Sequence, residues 1–171
     1  MKDNSKTNQL TKALFAIYLI AVFWIIVFKF NLPFSKLGYM RSINLIPFNE
    51  SVIINSKLDF REIIMNIAIF IPLGMYSYIL FEKWNIGKTI FFFFFISLVC
   101  EIFQFILGVG ASDITDVINN TLGGIIGLVI YKGIEKISGN RIKAQKFINI
   151  IATIGTILMI LLLSVLVIYN L

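Results

Sequence analysis

Between positions 100 and 131 the chain reads CEIFQFILGVGASDITDVINNTLGGIIGLVIY, an apolar stretch that carries Glu101, Gln104, Asp113, Asp116, Asn119 and Asn120. Glu101 and Gln104 are spaced i, i+3, and Asp116 and Asn120 i, i+4, so each pair shares one face of a helix. Three carboxylates set among amides can do general acid–base work, ligate Mg²⁺ or Ca²⁺ through oxygen alone, or line a polar pocket at the end of an apolar one. In hydrocarbon such groups cost several kcal/mol each unless they find partners or line a wet cavity, so the stretch reads as a functional site. Blander readings stay open. Glu101 can be a protonated partner in a structural bond between helices. Asp113 and Asp116 can be an N-cap and its capping-box partner, favoured by a helix N-terminus. Neither reading accounts for Asn120, one turn deeper on the face of Asp116.

Composition narrows the chemistry. The 171 residues are 58% hydrophobic and only 14% charged, against about 25% charged in a soluble domain. That is an integral membrane protein. With no histidine and one cysteine, Cys100, there is no imidazole base, Ser-His-Asp triad, intramolecular disulfide or Cys/His zinc site. No nucleophile is marked, no spacing demands a metal, and no cofactor is expected. The net charge of +6 comes from lysines in short loops between apolar runs. That is a topology signal beside an anionic leaflet, not a groove that tracks nucleic-acid phosphates.

The elements that must hold these residues follow from the apolar runs. Spans are expected near 13–28, 63–81, 89–107, 113–131 and 147–169, each about long enough for a hydrocarbon core of about 30 Å. The expected fold is an all-α membrane protein, a bundle of about five transmembrane helices in a single membrane domain, 1–171. No small-residue cleavage site follows the first run, which is therefore read as an uncleaved helix. The connection 29–62 contains LIPF and SVIIN and is apolar enough to lie in the interface or to re-enter as short helices. Asp59 and Glu62 fit an N-cap and third helical position. Pro72 removes the donor to the carbonyl of Ala68, so a kink is expected there. The five phenylalanines that open the third span form a lipid-facing or packing surface. Residues 132–146 read as a basic loop and the fifth span as plainly apolar.

Ten of the fifteen lysines and arginines lie in the N-terminus and the second and fourth loops, the other five in the first loop, and none in the third loop or C-terminus. The positive-inside rule then places the N-terminus in the cytoplasm and the C-terminus outside. In that topology Asn66 near the start of the second span, Glu101 and Gln104 near the end of the third, and Asp113, Asp116 and Asn120 at the start of the fourth fall within roughly 10 Å of one depth. Arg41 and Asn44 lie in the loop on the same side. Arg41 is either the counter-charge for Glu101 or the aspartates, or an arginine snorkelling to headgroups. Gly123 and Gly127 form a small-xxx-small pair that lets the fourth helix approach a neighbour closely and fixes the carboxylates.

Four blocks in this order, RSINLIPF at 41–48, NIAIFIPLG at 66–74, EIFQ at 101–104 and DITDVINNTLGGIIG at 113–127, resemble the VanZ-like family of bacterial membrane proteins. The resemblance covers about 40–131, the expected core; the helix at 147–169 is additional to it. It implies that the family's recurrent polar positions fall on Arg41, Asn44, Asn66, Glu101, Gln104, Asp113, Asp116 and Asn120. The family often has an arginine between the Glu/Gln helix and the aspartates. This chain has GVGAS there, so any anion-pairing role passes to Arg41. The family's namesake is associated with teicoplanin resistance. The resemblance thus implies a non-enzymatic envelope protein of the Gram-positive type, lowering susceptibility to lipid-anchored glycopeptides through an outward polar pocket. Its partners would be membrane lipids, an envelope lipid precursor or the lipoglycopeptide itself. Two alternatives remain: a membrane enzyme acting on a lipid or cell-wall precursor through Glu101 and Asp116, and a proton-coupled lipid transporter using Glu101.

Overall fold

In a hydrocarbon core every backbone amide and carbonyl must be satisfied within its own segment, which makes long apolar runs helical. The computed structural model describes residues 2–28, 38, 40–48, 53–54, 57–58 and 60–169. It contains five helices: α1 (Lys2–Phe28), α2 (Arg61–Leu80), α3 (Ile86–Leu107), α4 (Ile114–Ser138) and α5 (Arg141–Tyr169). All five are long and apolar enough to cross a membrane. The chain is an all-α, multi-pass membrane protein.

Helix ends are set by polar caps that a hydropathy reading does not see. Asn85 opens α3 by accepting the Lys88 amide at 2.8 Å, and Gly108 closes it in the left-handed region at φ 60°. A side chain at Gly108 would also strike the backbone of Gly38, whose amide donates to the Leu107 carbonyl at 3.0 Å. The expected basic loop at 132–146 is helical except for Gly139 and Asn140. Its lysines, glutamate and isoleucines are compatible with helix, and α5 begins where Asn140 accepts the amides of Ile142 and Lys143 at 2.8 and 3.2 Å. The expected cap at Asp59 lies outside the described residues. Helix α2 begins at Arg61 with Phe60 at the cap and no side-chain cap bond, which puts Glu62 second rather than third. The helix then runs from Arg61 to Leu80 with Pro72 inside it. Of the phenylalanine run, Phe93 is buried whereas Phe91, Phe94 and Phe95 are exposed, as a lipid-facing surface requires.

The connection before α2 holds a feature that was not foreseen. Its described parts are extended rather than helical: β1 (Met40–Asn44), β2 (Ile53–Ile54) and β3 (Lys57–Leu58). Strand β1 pairs in parallel with β4 (Val109–Asp113), which lies between α3 and α4, in the register Met40↔Val109 through Asn44↔Asp113. Strands β2 and β3 form a separate antiparallel pair. Parallel pairing needs a long crossover, here supplied by α2 and α3.

The chain divides into two compact units, residues 22–130 and residues 1–21 with 131–171. In the first, α4 rests on α2 through glycine. A Cβ at Gly123 would overlap the Ile67 carbonyl, one at Gly127 the Ile71 carbonyl, and one at Gly74 the Gly124 carbonyl. Gly123 and Gly127 thus bring the backbone of α4 against that of α2. The buried face of α3 is Thr89, Phe93, Ser97, Cys100, Glu101 and Gln104.

The second unit is held by a polar ladder that joins the polar segment before the first expected span to the expected basic loop and the start of the fifth span. Thr11 Oγ1 lies 2.9 Å from the Thr7 carbonyl and 3.0 Å from Asn149 Oδ1. Gln145 Nε2 donates to Asn8 Oδ1 and to Thr11 Oγ1, each at 2.8 Å, and Asn149 Nδ2 donates to the Thr7 carbonyl at 3.3 Å. Thr7, Thr11, Gln145 and Asn149 are all buried. Thr7 and Thr11 precede the expected first span and Gln145 precedes the expected fifth, so only the extension of both helices beyond their apolar runs brings the ladder together.

Candidate functional site

The unit formed by 22–130 brings together most of the polar residues singled out in the sequence. Asp113 is the hub. Its Oδ1 accepts the Thr115 amide at 2.7 Å, so it is the N-cap of α4. Its Oδ2 accepts from Asn44 Nδ2 at 3.1 Å, a contact that the β1–β4 register makes by setting Asn44 opposite Asp113. Its amide donates to Glu101 Oε2 at 3.1 Å. Glu101 thus takes the place that a capping-box acid on the helix itself would fill. Asp116, the expected capping-box partner, has another role: its Oδ1 accepts from Asn66 Nδ2 at 2.6 Å. All three carboxylates gather where the N-terminal dipole of α4 favours negative charge.

Two flanking contacts fix the backbone around this hub. Ser112 Oγ donates to the Glu101 carbonyl at 2.7 Å. Beyond β1, Asn44 Oδ1 accepts the Ile46 amide at 3.1 Å, and the Phe48 amide donates to Thr115 Oγ1 at 3.0 Å. Ser112 and Thr115 were not singled out. No local pattern marks them, because their roles depend on a strand pairing between distant segments.

The remaining candidates separate from the hub. Gln104 is fully buried and donates from Nε2 to the Ile26 carbonyl of α1 at 2.9 Å. Asn120, also fully buried, donates to Ser97 Oγ at 2.8 Å and ties α4 to α3. Gln104 Oε1, Asn120 Oδ1 and Asn119 Nδ2 are buried with no hydrogen-bond partner among the described residues. The backbone of Arg41 pairs with Gly110 in the β1–β4 register; its side chain, and with it the expected counter-charge role, lies outside the described residues.

Two hollows flank these residues and share no lining side chain. One is a groove of about 220 Å³ walled by Leu98, Ile102, Phe105, Ile114 and Val117, with Glu101, Ser112 and Asp113 also on its lining. Its surface is almost wholly apolar and suits an alkyl chain, with Glu101 buried and Asp113 half-buried at its edge. The other is a cavity of about 150 Å³ lined by Ile25, Ile26, Glu62, Met65, Asn66, Ile69, Gln104 and Asp116. Of the positions read from sequence as one pocket, Glu101 and Asp113 line the groove, Asn66, Gln104 and Asp116 line the cavity, Asn44 holds Asp113, and Asn120 ties α4 to α3.

Comparison with known proteins fits this arrangement to a family. A family model described as VanZ/LLP1 matches residues 15–137. The chain is 36% identical over 156 residues to Protein VanZ of Enterococcus faecium, covering 90% of this chain and 91% of that protein. No solved structure matches.

Proposed function

The chain belongs to the VanZ/LLP1 family, and on that premise we propose that it lowers the susceptibility of a bacterial envelope to lipid-anchored glycopeptides of the teicoplanin type. The groove beside Glu101 and Asp113 receives the acyl chain of the drug, or of an envelope lipid that the drug requires, on the outer side of the membrane. The N-terminus lies in the cytoplasm and the C-terminus outside. The observation that carries this reading is an apolar wall with carboxylates on the same lining.

The energetics decide which part of the groove selects. An acyl chain gains about 0.8 kcal/mol for each CH₂ it removes from water, but a chain already in the bilayer gains nothing of this kind by moving into a groove, since lipid is as apolar as Leu98 or Phe105. Discrimination must come from shape and from the polar edge. There Glu101 and Asp113 meet donors on the ligand, while the Asp113 amide holds Glu101, and Asn44 and the Thr115 amide hold Asp113. An acid–base reaction is less well supported. The Ser112 hydroxyl donates to a backbone carbonyl, which leaves it without a base to activate it.

The test is the inhibitory concentration of teicoplanin, with vancomycin as control, in a susceptible strain expressing the wild type, Leu98→Trp or Glu101→Gln at matched membrane levels. The wild type raises the value for teicoplanin alone, Leu98→Trp abolishes the rise by filling the groove, and Glu101→Gln keeps much of it because an acceptor remains. Near-total loss in Glu101→Gln at unchanged protein level would favour the enzyme. Loss of the effect on collapse of the proton gradient would favour the transporter. No rise for the wild type would sink the resistance reading.

A further inference from the structure

The turn that follows β1 stands on the start of α4 by two feet. Asn44 Nδ2 donates to Asp113 Oδ2 at 3.1 Å, and the Phe48 amide donates to Thr115 Oγ1 at 3.0 Å. Between the feet, Asn44 Oδ1 accepts the Ile46 amide at 3.1 Å and draws the turn tight. Leu45, Ile46 and Pro47 form an exposed crown. Phe48 lies in the left-handed region at φ 61°, alone among the described residues other than glycine. A bulky side chain is rare in that region, and such a backbone persists only where the surrounding structure holds it. The bond from the Phe48 amide to Thr115, whose side chain is fully buried, is such a hold.

This arch is also a wall of the groove. Ile43 and Leu45, two positions apart in the chain, both line the groove, whereas Asn44 between them bonds to Asp113, as alternation along an extended chain dictates. Ile43, Leu45, Ile102 and Phe105 belong to the lining and are exposed at the protein surface as well. The mouth of the groove is thus rimmed with large apolar side chains, which lipid covers readily and water does not. Thr115 is not on the lining; it reaches the groove through the backbone of Phe48.

We propose that Thr115 is a positioning residue for this groove: its hydroxyl holds the arch, the arch keeps Leu45 in the wall, and an acyl chain enters sideways from the leaflet across the apolar rim. The ligand is then a chain already in the membrane, whose polar end stays outside the groove; for that ligand the proposal rests on the acyl reading above. Without the acceptor on Thr115, the Phe48 backbone relaxes out of the left-handed region and carries Leu45 with it. The groove then loses its shape on the side that faces lipid.

The experiment uses the full chain in phosphatidylcholine nanodiscs, with Trp24→Phe and Trp84→Phe removing the native tryptophans and Leu45→Trp as the fluorescent reporter. Quenching by phosphatidylcholine with brominated acyl chains reads contact with lipid, and quenching by iodide reads contact with water. With Thr115 intact, brominated chains quench the reporter at least threefold more than iodide does. Thr115→Val keeps the shape of the side chain and removes the acceptor, and the ratio falls at least threefold. Thr115→Ser keeps the hydroxyl and the ratio, which general damage to the packing of α4 would not do. Ile46→Trp, on the crown but not on the lining, carries the same test if Leu45→Trp does not fold. The proposal is overturned if iodide quenches the reporter as strongly as brominated chains do with Thr115 intact, if Thr115→Val leaves the ratio unchanged, or if Thr115→Ser lowers it as much as Thr115→Val does. No drug is present, so a chain that shows this pattern yet does not raise the teicoplanin value sinks the resistance reading and not the arch.

Discussion

Thr11 and Asn149 share a hydrogen bond across 138 residues of sequence, as Asn66 and Asp116 do across 50, yet the clusters around these bonds follow different plans. Around Thr11 the groups are neutral, a threonine–amide ladder in which the Thr11 hydroxyl and the Gln145 and Asn149 amide nitrogens meet protein acceptors. Around Glu101 and Asp116 the groups are carboxylates, two hollows open beside them, and Gln104 Oε1 and Asn120 Oδ1 lack partners among the described residues. The neutral ladder ties two helices together, with a hollow of about 390 Å³ lined by Thr7 and Asn149 also opening beside it. Beside the carboxylates, the unfilled amide oxygens of Gln104 and Asn120 keep the cost of their burial. Burial of polar residues alone does not separate structure from function, and neither do unfilled atoms by themselves, since Trp24 Nε1 and Ser77 Oγ are also buried without a partner among the described residues.

Four measurements would break or sharpen that contrast. The largest effect is expected from glycine. Gly127→Leu forces a side chain into the Ile71 carbonyl, where backbone cannot yield, and should cost more than about 4 kcal/mol, read as loss of folded protein from membrane extracts. In the other unit a Cβ at Gly155 meets nothing within 4 Å, so Gly155→Ala should be stabilising by about 0.5–1 kcal/mol. A large loss there would mean that both units depend on backbone contact. Next comes Glu101→Ala, which strips the Asp113 amide of its acceptor and should cost about 1–3 kcal/mol in thermal unfolding. Glu101→Gln should cost less, because an oxygen remains.

The smallest effects belong to the neutral bonds. Double-mutant cycles on Ser97 with Asn120 and on Thr11 with Asn149 should each give a coupling of about 0.6 kcal/mol, with about 1.7 as the upper end for such bonds in membranes. Equal couplings would class the Ser97–Asn120 bond with the ladder as a helix clamp. A coupling well above that range at Asn120 would assign it to the charged site instead.

Much of this was legible in the sequence. Five apolar runs gave five helices, and their order alone put Asn66, Glu101, Gln104, Asp113 and Asp116 near one level, where the hydrogen bonds now join several of them. Gly123 and Gly127 announced their backbone contact through spacing. What stayed hidden was non-local or masked by averaging. The β1–β4 pairing depends on two five-residue segments with no alternation of their own, and without it neither the Asn44–Asp113 bond nor the role of Ser112 can be inferred. Asp116 had a sound local reading as a capping-box acid, which Glu101 displaced from another helix. The Thr7–Asn149 ladder depends on α1 and α5 extending into the polar segments beside their apolar runs, which hydropathy alone does not show.

The strand pair also bears on how the protein is made. Asn44 and Asp113 are 69 residues apart, and the chain between them contains all of α2 and α3. Joining ends so distant carries a loop-closure cost that local helix formation does not. During synthesis, residues 40–44 must therefore wait until both helices have entered the membrane and the start of α4 has emerged. A nascent chain arrested at residue 108 would hold three complete helices and no site. The polar hub thus reports on biogenesis: Glu101 enters with α3, before the strand pair that orders its surroundings can form, and the hub closes only once the start of α4 has emerged.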